Sequence, residues 1–224
     1  MAHICLLLSG AALLLNGLAL LGALPRRDAA VFSLVIGGTQ LALGVAYLGA
    51  LAPGAAGDGV QLLLGASGMF LFGLTYVYVG LDYLLGLGSK GLGWFCGMVG
   101  LCGLLLAAAW SGEDPLLAVL WLCWTYLWLL FFLQLALGFA RLTPLIGWSL
   151  VLTSQASATV PAFMGLTGRW PVEPEIAAGA AVSLLTLLLL ACGLAWRGRD
   201  QTAARPAVVD VVVVESPLPG ELKV

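Results

Sequence analysis

The chain has 224 residues, of which 62% are apolar and 9% charged, with a formal net charge of −2. A soluble domain carries about 25% charged residues, and one this apolar would expose large sticky patches; here the charges cluster between long uncharged runs, the pattern of a polytopic membrane protein. The balance of charge, with no basic stripe, excludes a nucleic-acid partner.

Seven apolar segments follow one another: about Ile4–Leu24, Ala29–Leu51, Val60–Leu81, Gly93–Trp110, Pro115–Phe139, Leu145–Leu166 and Ile176–Trp196. Each reaches or approaches the roughly 20 residues a helix needs to cross a bilayer. Hydrocarbon forces backbone groups to bond within the segment, which favours helices. A membrane barrel would need alternating polar and apolar residues, and runs such as LLTLLLLACGLAW do not alternate. The fold class expected is therefore an all-α polytopic membrane protein. The first segment is long and lacks a basic n-region, so it reads as a span rather than a cleaved signal peptide.

Lysine and arginine placement sets the orientation. With the N-terminus outside, Arg26, Arg27, Lys90, Arg141, Arg197, Arg199, Arg205 and Lys223 fall inside, and only Arg169 falls outside. The C-terminus is then cytoplasmic. The acids Asp58, Glu113, Asp114, Glu173 and Glu175 all lie outside. No loop is long enough for a separate catalytic domain. The tail from Arg197 to Val224 mixes polar residues, prolines and a VVDVVVV run, and is expected to be flexible, with that run able to pair as a strand. Its terminal Leu222-Lys223-Val224 superficially suits strand-addition binding by a PDZ domain.

Glycine is abundant, at 30 residues, and small residues let membrane helices approach closely. The five cysteines, Cys5, Cys96, Cys102, Cys123 and Cys192, lie inside apolar runs without CxxC spacing. They read as small buried hydrophobes rather than disulfides or a zinc site. The sole histidine is His3, which leaves no set for histidine catalysis or a histidine metal site, and no cofactor is implied.

Polar groups within spans are expensive and each has a structural and a functional reading. Asn16, Gln40, Thr75, Asp82, Thr125, Gln134, Thr153, Ser154 and Gln155 are the candidates, and the structural reading is hydrogen bonding between helices. Asn16 beside Gly17 reads as structural. Asp82 closes the third segment, where it reaches the interface or meets Lys90 rather than relaying protons, because no second buried charge accompanies it.

Aromatic residues form two helix faces. Phe72, Thr75 and Tyr76 stand at i, i+3, i+4, and Trp121, Trp124 and Trp128 at i, i+3, i+7. Trp94, Trp110, Trp170 and Trp196 sit at segment ends, where the membrane–water boundary suits them. Trp124 and Trp128 lie mid-span, where lipid would leave their indole N–H groups unpartnered. Lining a pore and packing against another helix both answer that need. If the two faces meet they enclose a narrow aromatic slot, suited to a flat, neutral, polar solute and hostile to hydrated ions. Neither charged rings nor a carbonyl filter is visible for ions.

These stretches resemble the AmiS/UreI family of urea and short-amide channels. The resemblance rests on Asn16-Gly17, Val35-Ile36-Gly37-Gly38, LFGLTYVYVGLDYLLGLGSKGLGWF, WLCWTYLWLLFFLQLALG, Thr143-Pro144 and Pro161-Ala162, and covers roughly residues 4 to 166. It implies six spans per protomer, a homo-oligomeric (hexameric) ring, and conduction of urea or small amides through each protomer. One constriction is implied at Phe72, Tyr76, Trp124, Leu127 and Trp128, and another at Leu6, Ser9, Leu13 and Trp121. Ser9 replaces a more apolar residue, widening or wetting that end. Asp82 stands where the family often has Asn. The family's sixth-span glutamate is missing, leaving Thr153, Ser154 or Gln155. The organisation expected is a six-span bundle over residues 4–166, an additional span at 176–196 and a cytoplasmic tail at 197–224 able to bind a partner.

The lead expectation is thus a passive channel, not an enzyme. Its rivals are a non-conducting scaffold on the same fold and a proton-coupled amide transporter using Asp82. Without outer-loop histidines, no steep acid opening is expected.

Overall fold

The computed structural model describes residues 1–49 and 59–203. The described chain is built from helices: α1 (Ala2–Leu20), α2 (Arg26–Gly49), α3 (Gly59–Leu85), α4 (Lys90–Trp110), α5 (Pro115–Phe131), α6 (Thr143–Ser154), α7 (Val160–Leu166) and α8 (Pro174–Ala203). A π turn, Phe132–Ala136, prolongs α5, and another, Gln155–Thr159, joins α6 to α7. Six of the described helices, α1 to α5 and α8, are long and apolar enough to cross a membrane, α5 together with its π turn. The protein is a multi-pass integral membrane protein. Exposed side chains such as Val35, Leu105 and Leu189 then face lipid rather than water.

The expected sixth span is helical from residue 143 to 166 but changes pitch at the π turn. Proline explains this. Pro161 has no N–H to offer the carbonyl four residues back, Ser157, so the ladder is interrupted there and the turn before it widens. The C-terminal helix continues past Trp196 to Ala203. The loop acid Asp58 and the tail beyond Ala203, with its VVDVVVV run and PDZ-like end, lie outside the described residues.

Helices α2 and α3 pack along their length, as do α4 and α5, while α1 lies against α2 and α6. Small residues set the spacing of the first pair. A Cβ on Gly37 would sit 2.7 Å from both Gly73 O and Val77 N, so the two backbones touch where only glycine fits. Helix α8 packs on α5 and α6 from outside. Only 17% of its apolar window is buried, against 56% for α5, so α5 is the central helix and α8 peripheral.

The turn between α3 and α4 corrects one expectation. Helix α3 runs on to Leu85, which places Asp82 in its last turn, buried. The Ser89 backbone N–H donates to one carboxylate oxygen at 2.9 Å and the Ser89 hydroxyl donates to the other. Asp82 therefore holds Ser89, which starts α4 with a left-handed φ of 60°, and its carboxyl bonds to Ser89 rather than to Lys90. Neighbouring Gly86 and Gly88, with φ of 65° and 88°, let the chain turn tightly enough for this bond. Of the cysteines, Cys5, Cys96 and Cys123 are buried as expected, whereas Cys192 is exposed on α8.

The opposite face gathers the chain start and two connections. Asp114 caps α5 by accepting from Leu117 N–H at 2.9 Å, and Trp170 Nε1–H donates to its other oxygen at 2.8 Å. His3 rests on Trp170 with ring centroids 5.3 Å apart. Burial raises the Asp114 carboxyl above its ordinary range, against the opposing pull of these two N–H donors and nearby His3.

Candidate functional site

The two aromatic faces meet. Phe72 of α3 points at α5 and stands among its tryptophans, with ring centroids 6.0 Å from Trp121, 5.0 Å from Trp124 and 4.7 Å from Trp128. Tyr76, one turn on, lies 6.1 Å from Phe72. Trp121 and Trp128 are stacked at 6.2 Å with an interplanar angle of 20°, and Trp124 meets Trp121 edge-on at 5.2 Å. All five rings are buried. Edge-to-face and offset geometry is what aromatic quadrupoles favour, so the rings hold one another in place.

Two chambers lie on either side of this cluster, and Phe72 and Trp124 are common to both walls. The chamber toward the α3–α4 turn, of about 50 Å³, is lined by Leu13, Asn16, Thr75, Tyr76, Leu127 and Trp128, and reaches Tyr83 and Leu135. The chamber toward the chain start, of about 100 Å³, is lined by Cys5, Leu6, Ser9, Gly68, Met69 and Trp121, and reaches Ala2 and Leu117. The pair is stacked along the bundle, so Phe72 and Trp124 form a partition across it. Each chamber has room for a molecule of a few heavy atoms. At the end of the first chamber toward the α3–α4 turn, Tyr83 has the Arg26 guanidinium 5.9 Å from its ring centre, a cation–π contact.

The residues singled out in the sequence divide between these chambers, with differences. Leu6, Ser9 and Trp121 share one; Leu13 lines the other, with Leu127 and Trp128. Asn16 lines the smaller chamber but its Nδ2 donates to Ala12 O at 2.8 Å and Ser33 Oγ at 2.9 Å, tying α1 to α2. Thr75 donates to Leu71 O at 2.7 Å, and Tyr76 to Ser9 O at 3.3 Å. Gln155 does not join the site: it is exposed, and its Nε2 donates to neighbouring Ser154 at 3.3 Å. Asp82 lines neither chamber.

Three contributors were not placed at the site by the sequence. Ser157, buried in the second π turn, accepts the Trp124 indole N–H at 3.2 Å. It lies four residues before Pro161, where the interrupted ladder turns it inward; that spacing was the available signal. Gly68 lets Trp121 lie flat, since a Cβ there would come within 2.8 Å of the indole. Gln40, fully buried, donates from Nε2 to Cys5 O at 2.9 Å and to Ser9 Oγ at 2.8 Å. The amide was visible as a costly polar group in a span, but its partner across helices was not.

Residues 1–169 match the family described as AmiS/UreI family transporter. The chain is 44% identical over 194 residues to the putative transporter protein AmiS2 of Rhodococcus erythropolis, covering 85% of this chain and 91% of that protein. It is 36% identical to a putative amidate substrates transporter protein of Mycolicibacterium smegmatis, covering 81% of this chain and 84% of the other. It is 25% identical to the acid-activated urea channel of Helicobacter pylori, over 76% of this chain and all of that one. The crystal structure of the Helicobacter pylori urea channel superposes with a TM-score of 0.66 at 22% identity, covering 76% of this chain and 100% of that chain. The cryo-electron-microscopy structure of that channel in its closed state gives 0.67 at 24% identity with the same coverage. At those identities the superpositions speak for the fold. Helix α8, beginning at Pro174, lies beyond the family match.

Proposed function

The chain belongs to the AmiS/UreI family, a family of transporters rather than enzymes, and from that premise we propose that it is a passive channel for urea or small neutral amides that conducts through its own bundle. The observation that carries this reading is the pair of chambers that share the Phe72 and Trp124 rings in their walls. A flat solute passes such a partition by sliding between ring faces, while an ion would shed its water with nothing charged to replace it. The named activities of relatives, urea in one case and amidate substrates in another, point to the same solute class.

On this reading Phe72, Tyr76, Trp124, Leu127 and Trp128 form one constriction. Leu6, Ser9 and Trp121 line the approach to it, and Leu13 faces the far side. The N-terminus is outside and the C-terminus cytoplasmic: Arg26, Arg27, Lys90, Arg141 and Arg197 lie at one face of the described bundle and Arg169 at the other. Assembly as a homo-oligomeric ring, a hexamer by family resemblance, and a cytosolic partner for the tail belong to the same proposal. The proton-coupled alternative draws no support from Asp82, whose two oxygens are both engaged by Ser89.

Reconstituted vesicles test the reading. Stopped-flow entry of urea and acetamide is expected to be faster with protein than without, to run only downhill, and to show no accumulation under an imposed proton gradient. Equal permeability with and without correctly assembled protein would favour a non-conducting scaffold. Gradient-driven accumulation would favour a coupled transporter.

A further inference from the structure

Resting on the channel reading, we propose that the Ser9 hydroxyl is a hydrogen-bond donor for the carbonyl of a passing amide, and that Gln40 is the positioning residue that frees it for that task. A serine inside a helix ordinarily donates back to a carbonyl three or four residues earlier. Thr75 and Thr153 bond four back, to Leu71 O and Ser149 O, both at 2.7 Å, and Ser67 and Ser154 three back, to Leu64 O and Val151 O. For Ser9 the carbonyl four back is Cys5 O, and Gln40 bonds to both: Nε2 donates to Cys5 O at 2.9 Å and to Ser9 Oγ at 2.8 Å.

The Cys5 carbonyl can only accept, so it fixes which end of the Gln40 amide points toward α1. Both amide hydrogens are thereby used, and Ser9 Oγ acts as an acceptor. Its own hydrogen remains, and the side chain lies in the wall of the larger chamber. Around it the wall is apolar or aromatic: Leu6, Leu64, Met69, Phe72, Trp121 and Trp124. The Ser9 backbone oxygen is separately engaged by Tyr76 at 3.3 Å, which anchors this turn of α1 beside the partition.

Gln40 Oε1 is buried and has no donor among the described residues. An amide kept merely to tie α1 to α2 would be expected to satisfy both its ends. A glutamine that leaves one end unmatched so as to occupy the Cys5 carbonyl and polarise Ser9 fits a role at the chamber better. A hydroxyl donor held by the fold beside apolar and aromatic side chains suits a planar carbonyl compound entering oxygen first.

The test compares acetamide with thioacetamide, which keeps the shape but replaces the carbonyl oxygen with sulfur, a much poorer acceptor. In proteoliposomes Ser9→Ala is expected to lower acetamide entry about fivefold, the effect of one neutral hydrogen bond, while thioacetamide entry holds. The acetamide-to-thioacetamide ratio therefore collapses. Ser9→Thr is expected to retain the ratio. Gln40→Leu, which lets Ser9 fall back onto Cys5 O, is expected to lower the ratio although residue 40 is outside the chamber; a purely structural role would slow both solutes alike. An unchanged ratio in assembled Ser9→Ala protein overturns this inference and leaves the channel reading standing. No protein-dependent entry of either solute into wild-type vesicles overturns both.

Discussion

In the chamber bounded by Asn16, Thr75 and Tyr76, the amide and hydroxyl hydrogens of those residues are committed to Ala12, Ser33, Leu71 and Ser9. In the chamber bounded by Ser9, a hydroxyl hydrogen is left uncommitted because Gln40 occupies its usual acceptor. The two spaces share the Phe72 and Trp124 rings and differ in how Asn16, Thr75 and Tyr76 on one side and Ser9 on the other are bonded within the fold. A polar residue in a membrane protein's wall contributes to recognition only if the fold does not already use it.

Merging the chambers is the most drastic way to break this contrast. Trp124→Ala removes half the partition and strands the Ser157 hydroxyl, and a buried Trp→Ala change costs about 3–5 kcal/mol of stability. Protein that still assembles should show raised entry of bulkier amides and a weakened preference among solutes, read by stopped-flow light scattering across an amide series. Narrowing one chamber alone is a sharper intervention. Gly68→Ala pushes a methyl against Trp121, 2.8 Å from the indole, at a cost of about 1–3 kcal/mol. Entry of propionamide should fall more than entry of urea.

The turn outside both chambers supplies a control. Ser89→Ala removes the hydroxyl bond to the buried Asp82 carboxyl, a hydrogen bond contributing about 0.5–1.5 kcal/mol. Thermal unfolding in detergent should register the loss. Asp82→Asn should leave downhill urea and acetamide entry unchanged, since the residue lines neither chamber; abolished transport in assembled protein would restore the coupled-transporter reading.

The smallest effect expected is that of acid. Asp114, half-buried at the start of α5, has its carboxyl raised, chiefly by burial. A carboxyl raised in the folded state binds its proton more tightly there than in the unfolded chain. Its protonation on acidification therefore favours the folded protein, and this contribution is lost as pH rises through the folded value. Lowering the pH from 7.4 to 5 should not loosen the Asp114–Trp170 contact through this group, and no steep rise in flux is expected. A large increase over that range in His3→Ala protein would show an acid gate built from other residues.

The helical architecture was legible because hydropathy and length decide it: bilayer thickness fixes how long an apolar run must be, and each of the long runs is helical. The aromatic faces were legible too, since Phe72 and Tyr76, and Trp121, Trp124 and Trp128, follow helical spacing. Sequence spacing did not reveal which polar groups pair between helices. Gln40 and Ser9 are 31 residues apart and Trp124 and Ser157 are 33 apart, and each bond depends on how α1, α2, α5 and the second π turn are packed. The partner of Asp82 was missed for a related reason. Its partner Ser89 is near in sequence, but the contact needs a left-handed serine after two positive-φ glycines, which a charge-pairing argument toward Lys90 overlooks. Leu13 was grouped with Leu6 and Ser9, yet one turn of α1 carries it past the partition to the other chamber.

The most direct test of the central claim is the rate of urea and acetamide entry into proteoliposomes holding wild-type protein or assembled Trp124→Ala, against protein-free vesicles. The partition account predicts protein-dependent downhill entry of both solutes in wild type and a changed urea-to-acetamide ratio in the variant. Identical ratios in wild type and Trp124→Ala would place the solute path somewhere other than between Phe72 and Trp124.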